Sequence, residues 1–182
     1  MATIRWMRRS PACGASRTIV SNGTRSNFHR SPLTDMPFYG LGRRSRFATG
    51  EALYTAWDFK RLLDLSAVDI VQPDLTMYGG PPSGAGDRLA ARLHHVRLSP
   101  HVWGGGVGLA AACHFVASLP DYPHSRNIVQ PPLIEYDFGD NALRDTIFKE
   151  PIIIENGACV LPNRPGLGVE LDPVAFRRFG EP

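Results

Sequence analysis

One segment of this chain is more informative than any other: Leu98-Ser99-Pro100-His101-Val102-Trp103-Gly104-Gly105-Gly106-Val107-Gly108. It begins at the end of the short segment 96–98 (VRL), passes a proline and a glycine cluster, and enters an alanine-rich run that begins near Val107. This order predicts a strand, a turn and a helix, with His101 at the strand exit. Where strands and helices alternate around a barrel, catalytic side chains collect at the C-terminal ends of the strands. His101 is therefore the first candidate for a functional residue.

A second segment has the same layout. It is Val68-Asp69-Ile70-Val71-Gln72-Pro73-Asp74, a buried-strand pattern followed by a proline and one carboxylate. Two successive parallel strands end at the same edge of a sheet, so we expect Asp74 to lie beside His101. A carboxylate in that place would orient the imidazole.

The bulk composition indicates a soluble globular domain. The chain has 182 residues, of which 43% are hydrophobic and 20% charged, and this is enough for one domain with a real core. No apolar run approaches the roughly 20 residues that span a bilayer, so we expect no membrane partner. Three cysteines stand far apart in the sequence without metal-ligand spacing, which favours free thiols in a reducing, cytoplasmic compartment.

The net charge of +3 conceals a basic leader at residues 1–46. This segment contains nine arginines and one acidic residue, so its charge is 9 − 1 = +8, and the remainder of the chain carries −5. It shows neither a helical nor a strand period, and we predict a disordered basic segment without a defined fold. A transit peptide and a nucleic-acid-binding arm are the alternatives. The absence of aromatic or basic spacing does not favour nucleic acid as a partner.

The pattern of apolar and polar residues changes at Phe47, where strand and helix patterns begin to alternate. The predicted order is strand 47–51, helix 54–65, strand 68–72, a weak helix 87–95, strand 96–98, helix 107–118 and strand 133–136. Alternation of this kind is typical of parallel βαβ units. It supplies four strands where a closed barrel needs eight. We therefore predict an α/β fold, a partial (β/α) TIM-type barrel, over residues 47–149.

The last part of the chain, residues 150–182, differs from the barrel pattern. Two extended segments, 151–154 and 159–161, flank Asn156-Gly157. This dipeptide is a strong signal for a two-residue hairpin turn. We predict a C-terminal hairpin followed by a turn-rich tail.

Four ionisable residues follow or end successive predicted strands: Glu51, Asp74, His101 and Glu135. Each has a simpler interpretation. Glu51 could cap the next helix, Asp74 could form a turn after a proline, Glu135 could be a solvated strand end, and His101 could be a hydrogen-bonded packing residue. Four such residues in register are nevertheless what a barrel uses to build a site from separate strands.

Several motifs together resemble the C-terminal half of the mandelate racemase and muconate-lactonizing branch of the enolase superfamily, in particular its acid-sugar members. The motifs are residues 48–51 (ATGE), 68–74 (VDIVQPD) with Gly79-Gly80, 99–104 (SPHVWG), 141–144 (NALR) and 165–171 (PGLGVEL). The resemblance covers residues 47–182.

The resemblance implies a role for each candidate residue. Glu51 would be the last of three acidic Mg²⁺ ligands, and His101 would be the general acid/base, oriented by Asp74. Glu135 would hydrogen-bond the substrate carboxylate as it becomes an enediolate. The substrate would be an aldarate or its lactone. A hard cation stabilises the developing negative charge in such reactions, and pairing a His or Lys base with Mg²⁺ is the superfamily's known device.

The sequence also departs from that family. His29-Arg30-Ser31-Pro32-Leu33 stands where a Glu-Glu-Pro-Leu motif would be expected, with neither acid, and we expect the two preceding Mg²⁺ ligands and the capping domain of the family to be absent. The leading hypothesis is therefore a truncated Mg²⁺-dependent cycloisomerase or dehydratase, with its own activity in question. The second is a non-catalytic remnant that folds partly or forms a homo-oligomer, because half barrels expose a sheet edge. The third is nucleic-acid binding through residues 1–46.

Overall fold

The structure is a computed structural model. It describes residues 4–8, 19–20, 23–25, 46–119, 132–155 and 158–180. For residues 4–8, 19–20, 23–25 and 46, and for several residues early in the second helix, the description covers the backbone only.

Nine strands and five helices lie within these residues. The strands are β1 Ile4–Arg8, β2 Ile19–Val20, β3 Gly23–Arg25, β4 Arg46–Thr49, β5 Ile70–Val71, β6 Arg97–Leu98, β7 Leu133–Tyr136, β8 Ile153–Glu155 and β9 Ala158–Val160. The helices are α1 Ala56–Asp64, α2 Gly80–Leu93, α3 Gly106–Ala117, α4 Ala142–Asp145 and α5 Pro173–Gly180.

The strands form two sheets. One has the order β2-β3-β4-β5-β6, in which β2 is antiparallel to β3 and the pairings from β3 to β6 are parallel. The other has the order β7-β1-β9-β8, with β7 and β1 parallel and the other two pairings antiparallel. The predicted alternation of strands and helices is confirmed from β4 to β7, and the predicted parallel pairing is confirmed from β4 to β6. Closure into a barrel stays a prediction.

The prediction for the basic leader was wrong where the structure describes this segment. We expected no defined fold in residues 1–46, yet β1, β2 and β3 lie there. β1 pairs with β7 on one side and with β9 on the other. Backbone pairing with strands from the far end of the chain does not require a periodic sequence, which is why periodicity gave no signal. The rest of the leader lies outside the described residues.

The second helix also differs from the prediction. We expected a weak helix over 87–95, but α2 begins at Gly80 and ends at Leu93. Gly79 and Gly80 turn the chain with positive φ angles of 82° and 83°. The prolines that follow occupy the first helical positions, where a backbone N–H has no intrahelical partner anyway. A proline pair that seemed to oppose a helix in fact begins one.

The C-terminal hairpin is confirmed. β8 and β9 pair antiparallel, with Ile154 opposite Cys159, and the Asn156-Gly157 turn itself lies outside the described residues. The prediction of a turn-rich tail was incomplete, because the tail also contains the helix α5. None of the helices described is long and apolar enough to cross a membrane.

Two apolar clusters support the site. The first joins β4 and β5 to α1 and α2, with Phe47, Phe59 and Leu62 at its centre. The second joins α3 to β7 and β9, with Leu109, Val116, Ile134 and the two described cysteines among its members. β5, β6 and β7 each place an apolar residue in or against these clusters, so the residues at the ends of these strands are held by buried structure.

Candidate functional site

Asp74 and His101 meet where β5 and β6 end. The Asp74 Oδ2 and His101 Nδ1 atoms are 3.0 Å apart, and both side chains are buried. Their backbones form a parallel β-bridge, in which the His101 N–H donates to the Pro73 carbonyl at 3.0 Å. The predicted contact is present. Because Nδ1 is held by the carboxylate, the Nε2 atom of the same ring is left to face the site.

The second carboxylate oxygen of Asp74 is also held. Asp74 Oδ1 accepts hydrogen bonds from the backbone N–H of Thr76 at 2.8 Å and from its hydroxyl at 2.6 Å. Burial raises the pKa of Asp74, but the hydrogen bonds from His101 and Thr76 together outweigh it, so the pKa lies below its usual value. Asp74 is therefore a charged, fixed carboxylate. The turn-former interpretation holds too, since the Thr76 contact is such a turn.

Glu135 lies on the other side of the imidazole. Its side chain is fully buried, and its Oε2 atom is 3.9 Å from His101 Nε2. The same oxygen accepts from the Val102 backbone N–H at 3.2 Å. Glu135 is the third of the four residues of β7, so the alternative of a solvated strand end is wrong. His101 thus stands between two buried carboxylates.

Glu51 occupies a different setting. It follows β4 and is only partly buried, and its Oε2 atom accepts from the neighbouring Gly50 N–H at 3.2 Å. Within the part of the chain that the structure describes, no group of three or more His, Cys, Asp or Glu side chains is placed to hold a metal ion. Mg²⁺ demands near-octahedral oxygen ligands and gives up water reluctantly. The described residues therefore do not fit the Mg²⁺ site that the resemblance implies.

Gln72 is a residue that the sequence analysis missed. Its side chain is fully buried, and neither its amide nitrogen nor its amide oxygen has a hydrogen-bond partner. Ile70, the first residue of β5, packs with Ala48 in a small cluster. Gln72 follows β5 directly and lies two residues before Asp74. A polar residue at the end of the predicted strand 68–72 was the available signal.

A cleft opens beside the Asp74–His101 pair. Its lining includes Asp74, Thr76, His101, Trp103 and Gly105. The Trp103 indole is 58% exposed, and its N–H donates to Asp137 Oδ2 at 3.0 Å. That bond ties the loop after β6 to the loop after β7, so the aromatic ring at the mouth of the cleft has a fixed orientation.

The start of α3 packs closely against α4 and the residues that follow it. A Cβ at Gly106, the first residue of α3, would lie 2.7 Å from a ring carbon of Phe148 and 2.9 Å from the Arg144 carbonyl oxygen. Only glycine fits there. The glycine cluster after His101 therefore serves helix packing at Gly106.

Comparison with known proteins identifies relatives of this arrangement. The family model described as "Enolase C-terminal domain-like" matches residues 39–175. D-galactarolactone cycloisomerase of Agrobacterium fabrum is 38% identical over 135 residues, which cover 74% of this chain and 35% of that protein. Arabinonate dehydratase of Saccharolobus solfataricus is 36% identical over 129 residues, 71% of this chain and 32% of that protein.

Solved structures agree with the sequence relatives. The 3,6-anhydro-D-galactonate cycloisomerase from Zobellia galactanivorans superimposes with a TM-score of 0.64 at 36% identity, over 74% of this chain and 36% of that one. A mandelate racemase/muconate lactonizing enzyme-like protein from Roseovarius sp. TM1035 gives a TM-score of 0.69 at 29% identity, over 81% and 35%. The chain spans about a third of the length of the curated relatives it matches.

Proposed function

The chain belongs to the enolase C-terminal domain-like family, and from this premise we propose that it carries the histidine base of an acid-sugar active site. The relatives are acid-sugar cycloisomerases and dehydratases. The reaction type proposed is removal of the proton α to a carboxylate of an aldarate, an aldonate or a lactone. The observation that carries the proposal is the buried contact of 3.0 Å between Asp74 Oδ2 and His101 Nδ1.

His101 is the proposed base. With a proton on Nδ1 directed at Asp74, the Nε2 lone pair is free to accept the substrate α-proton. The electron pair of the broken C–H bond then moves toward the substrate carboxylate to form an enediolate. Asp74 stabilises the imidazolium that results, because it is anionic and buried beside it.

Glu135 is the proposed contact for the substrate carboxylate. It is fully buried and 3.9 Å from His101 Nε2, so a substrate α-carbon at that nitrogen would bring its carboxylate close to Glu135. A hydrogen bond between the Glu135 carboxyl group and the substrate carboxylate, formed through one shared proton, would strengthen as charge develops on the enediolate. Glu135 would in this way favour the transition state over the ground state.

Members of this superfamily generally use Mg²⁺, but the described residues supply only Glu51 of the ligand set that the resemblance implies. The proposed role of Glu51 as a metal ligand therefore depends on carboxylates outside the described residues. The contacts that place His101 and Glu135 do not involve Glu51, so the roles proposed for these two residues can be tested separately from metal binding.

The test is exchange of the substrate α-proton with solvent deuterium. The full chain would be incubated in D₂O and Mg²⁺ with D-galactarolactone, arabinonate or D-galactonate, and the loss of the α-proton signal followed by proton NMR. His101→Asn should lower the exchange rate by at least about 100-fold. The matched control is His94→Asn, since His94 is partly exposed and 3.7 Å from Asp64. Equal exchange in the two variants would remove His101 as the base.

A second candidate function is association without catalysis. Trp57 on α1 is 80% exposed, Leu93 at the end of α2 is 72% exposed and Val174 on α5 is 69% exposed. Exposed apolar side chains of this size favour contacts between protein surfaces. Light scattering over a range of concentrations would detect a homo-oligomer. A constant monomer mass would exclude this candidate. A monomer that also exchanges the α-proton would support the enzyme proposal and not association.

A further inference from the structure

The two described cysteines lie in contact, although the sequence places them far apart. Cys113 on α3 and Cys159 on β9 are 46 residues apart, and their Sγ atoms are 3.1 Å from each other. Both are free thiols and both are buried. The predicted free thiols are confirmed for this pair, and the packing of α3 against the sheet that holds β9 brings the two together in space.

We propose that Cys113 and Cys159 form a peroxide-oxidised dithiol site, in which an intramolecular disulfide joins α3 to β9. The contact distance requires the sulfur atoms to approach by about 1 Å, since a disulfide bond is about 2.05 Å long. Side-chain rotation and small shifts of the hairpin would supply such a movement. The proposal concerns a modification site and is independent of the proposed catalytic function.

The chemistry needs one two-electron oxidant, hydrogen peroxide. The Cys159 thiolate attacks one peroxide oxygen, the O–O bond breaks, and the departing hydroxide takes a proton to become water. The Cys113 thiol then attacks the sulfur of the resulting sulfenic acid, the S–O bond breaks and a second water leaves. The balance is two thiols and one peroxide giving one disulfide and two waters.

The environment selects the order of these steps. The hydrogen bond with Cys159 and burial raise the pKa of the Cys113 thiol, whereas donation from Cys113 lowers the pKa of Cys159. Cys159 is therefore the thiol that ionises first, and the thiolate is the nucleophile. Both side chains are 1% exposed, so a small peroxide would reach the pair through local opening of the structure around the β8–β9 hairpin.

The proposed disulfide would connect the part of the candidate site that carries His101 with the part that carries Glu135. α3 begins directly after the loop that follows His101, and β9 belongs to the same sheet as β7, which carries Glu135. Ile134 and Val102 pack in one cluster with both cysteines. A disulfide beneath the site would therefore fix α3 relative to the sheet that holds Glu135.

The test uses the full chain with Cys13→Ser, so that the described pair holds the two remaining thiols. After hydrogen peroxide, catalase and alkylation of free thiols under denaturing conditions, a tryptic digest is analysed by mass spectrometry without reductant. We expect one cross-linked species in which a peptide with Cys113 is joined to a peptide with Cys159. We also expect the melting temperature to rise by roughly 5 to 10 °C and to return on addition of dithiothreitol.

Two controls keep the outcome decisive. Cys113→Ser and Cys159→Ser, each in the Cys13→Ser chain, should give no cross-link and no rise in melting temperature. The same peroxide treatment in urea should yield much less of the intramolecular species, because unfolding separates the sulfur atoms. Alkylated Cys113 and Cys159 in the treated folded chain, or sulfinic acid at either of them in place of the cross-link, would overturn the proposal.

Discussion

The neighbouring exits of β5 and β6 differ in the folded chain from the exit of β4, although an ionisable residue follows each of these strands in the sequence. At the ends of β5 and β6, Asp74 and His101 form a buried contact that is completed by Thr76 and flanked by Glu135. At the end of β4, Glu51 is partly exposed and its carboxylate bonds to the adjacent backbone N–H. Among the described residues, the ends of β5 and β6 therefore form a connected site, whereas the end of β4 is not part of a metal cluster.

The difference follows from how many strands each site needs. A carboxylate–imidazole pair needs two neighbouring strands with matching register, and the β5–β6 pairing supplies that. A Mg²⁺ site needs several oxygen ligands brought together from separate strands. A site of two groups is therefore complete within the described sheet, and a site that needs several carboxylates is not.

The largest effect should come from the complete site. Asp74→Asn replaces an anionic acceptor by an amide that cannot stabilise the imidazolium, so α-proton exchange should fall by at least about 100-fold. NMR in D₂O measures this rate. Asp64→Asn is the control, because Asp64 is an exposed carboxylate paired with Lys60. If Glu51→Gln lowered exchange more than Asp74→Asn does, the comparison between the two exits would be reversed.

A smaller effect is expected from Gln72, which lies two residues before Asp74 in the sequence. Replacing it by Met removes an unpaired buried amide and keeps a side chain of similar length, so the free energy of unfolding should increase by about 1 to 2 kcal/mol. Urea unfolding followed by circular dichroism measures the change. Asn163→Met, at an exposed amide, should change little. A loss of stability in Gln72→Met would mean that the amide has a partner, such as a bound water.

The pH dependence of stability tests whether Asp74 is charged in the folded chain. Because its folded-state pKa is depressed, its contribution is present above the unfolded-state pKa of about 3.9 and is lost as the pH falls through the folded-state value. The chain should therefore lose on the order of 1 kcal/mol more than Asp74→Asn between pH 6 and acid pH, about the worth of one hydrogen bond. Urea midpoints at several pH values measure the difference, and parallel curves for the two proteins would contradict it.

The smallest effect should be that of Mg²⁺ on stability. With one carboxylate at the β4 exit, millimolar Mg²⁺ should bind too weakly to raise the melting temperature by more than about 1 °C, because stabilisation requires a concentration well above Kd. A thermal melt by circular dichroism measures the shift, with Glu51→Gln as the control. A larger rise that Glu51→Gln abolishes would show that residues outside the described ranges complete a metal site.

The elements that the sequence predicted well are those with strong local signals. Thr55 and Asp58 form a reciprocal capping box that fixes the start of α1, and the Asn156-Gly157 dipeptide correctly indicated the hairpin. β1 was missed because it exists through its pairing with the distant strands β7 and β9. The start of α2 was missed for a local reason, because two prolines follow Gly80 in its first turn and proline is unfavourable in a helix interior.

For the candidate site, residue chemistry and order along the chain were sufficient to identify the Asp74–His101 pair and to connect it with the family. Both residues follow strands that are neighbours in the sequence and in the sheet, so spacing along the chain predicts distance in space. Tertiary packing was needed for the burial of Glu135 beside His101, the unpaired amide of Gln72 and the contact of Cys113 with Cys159. Each of these depends on elements from different parts of the chain, or on how completely a side chain is enclosed, and neither property is encoded in local spacing.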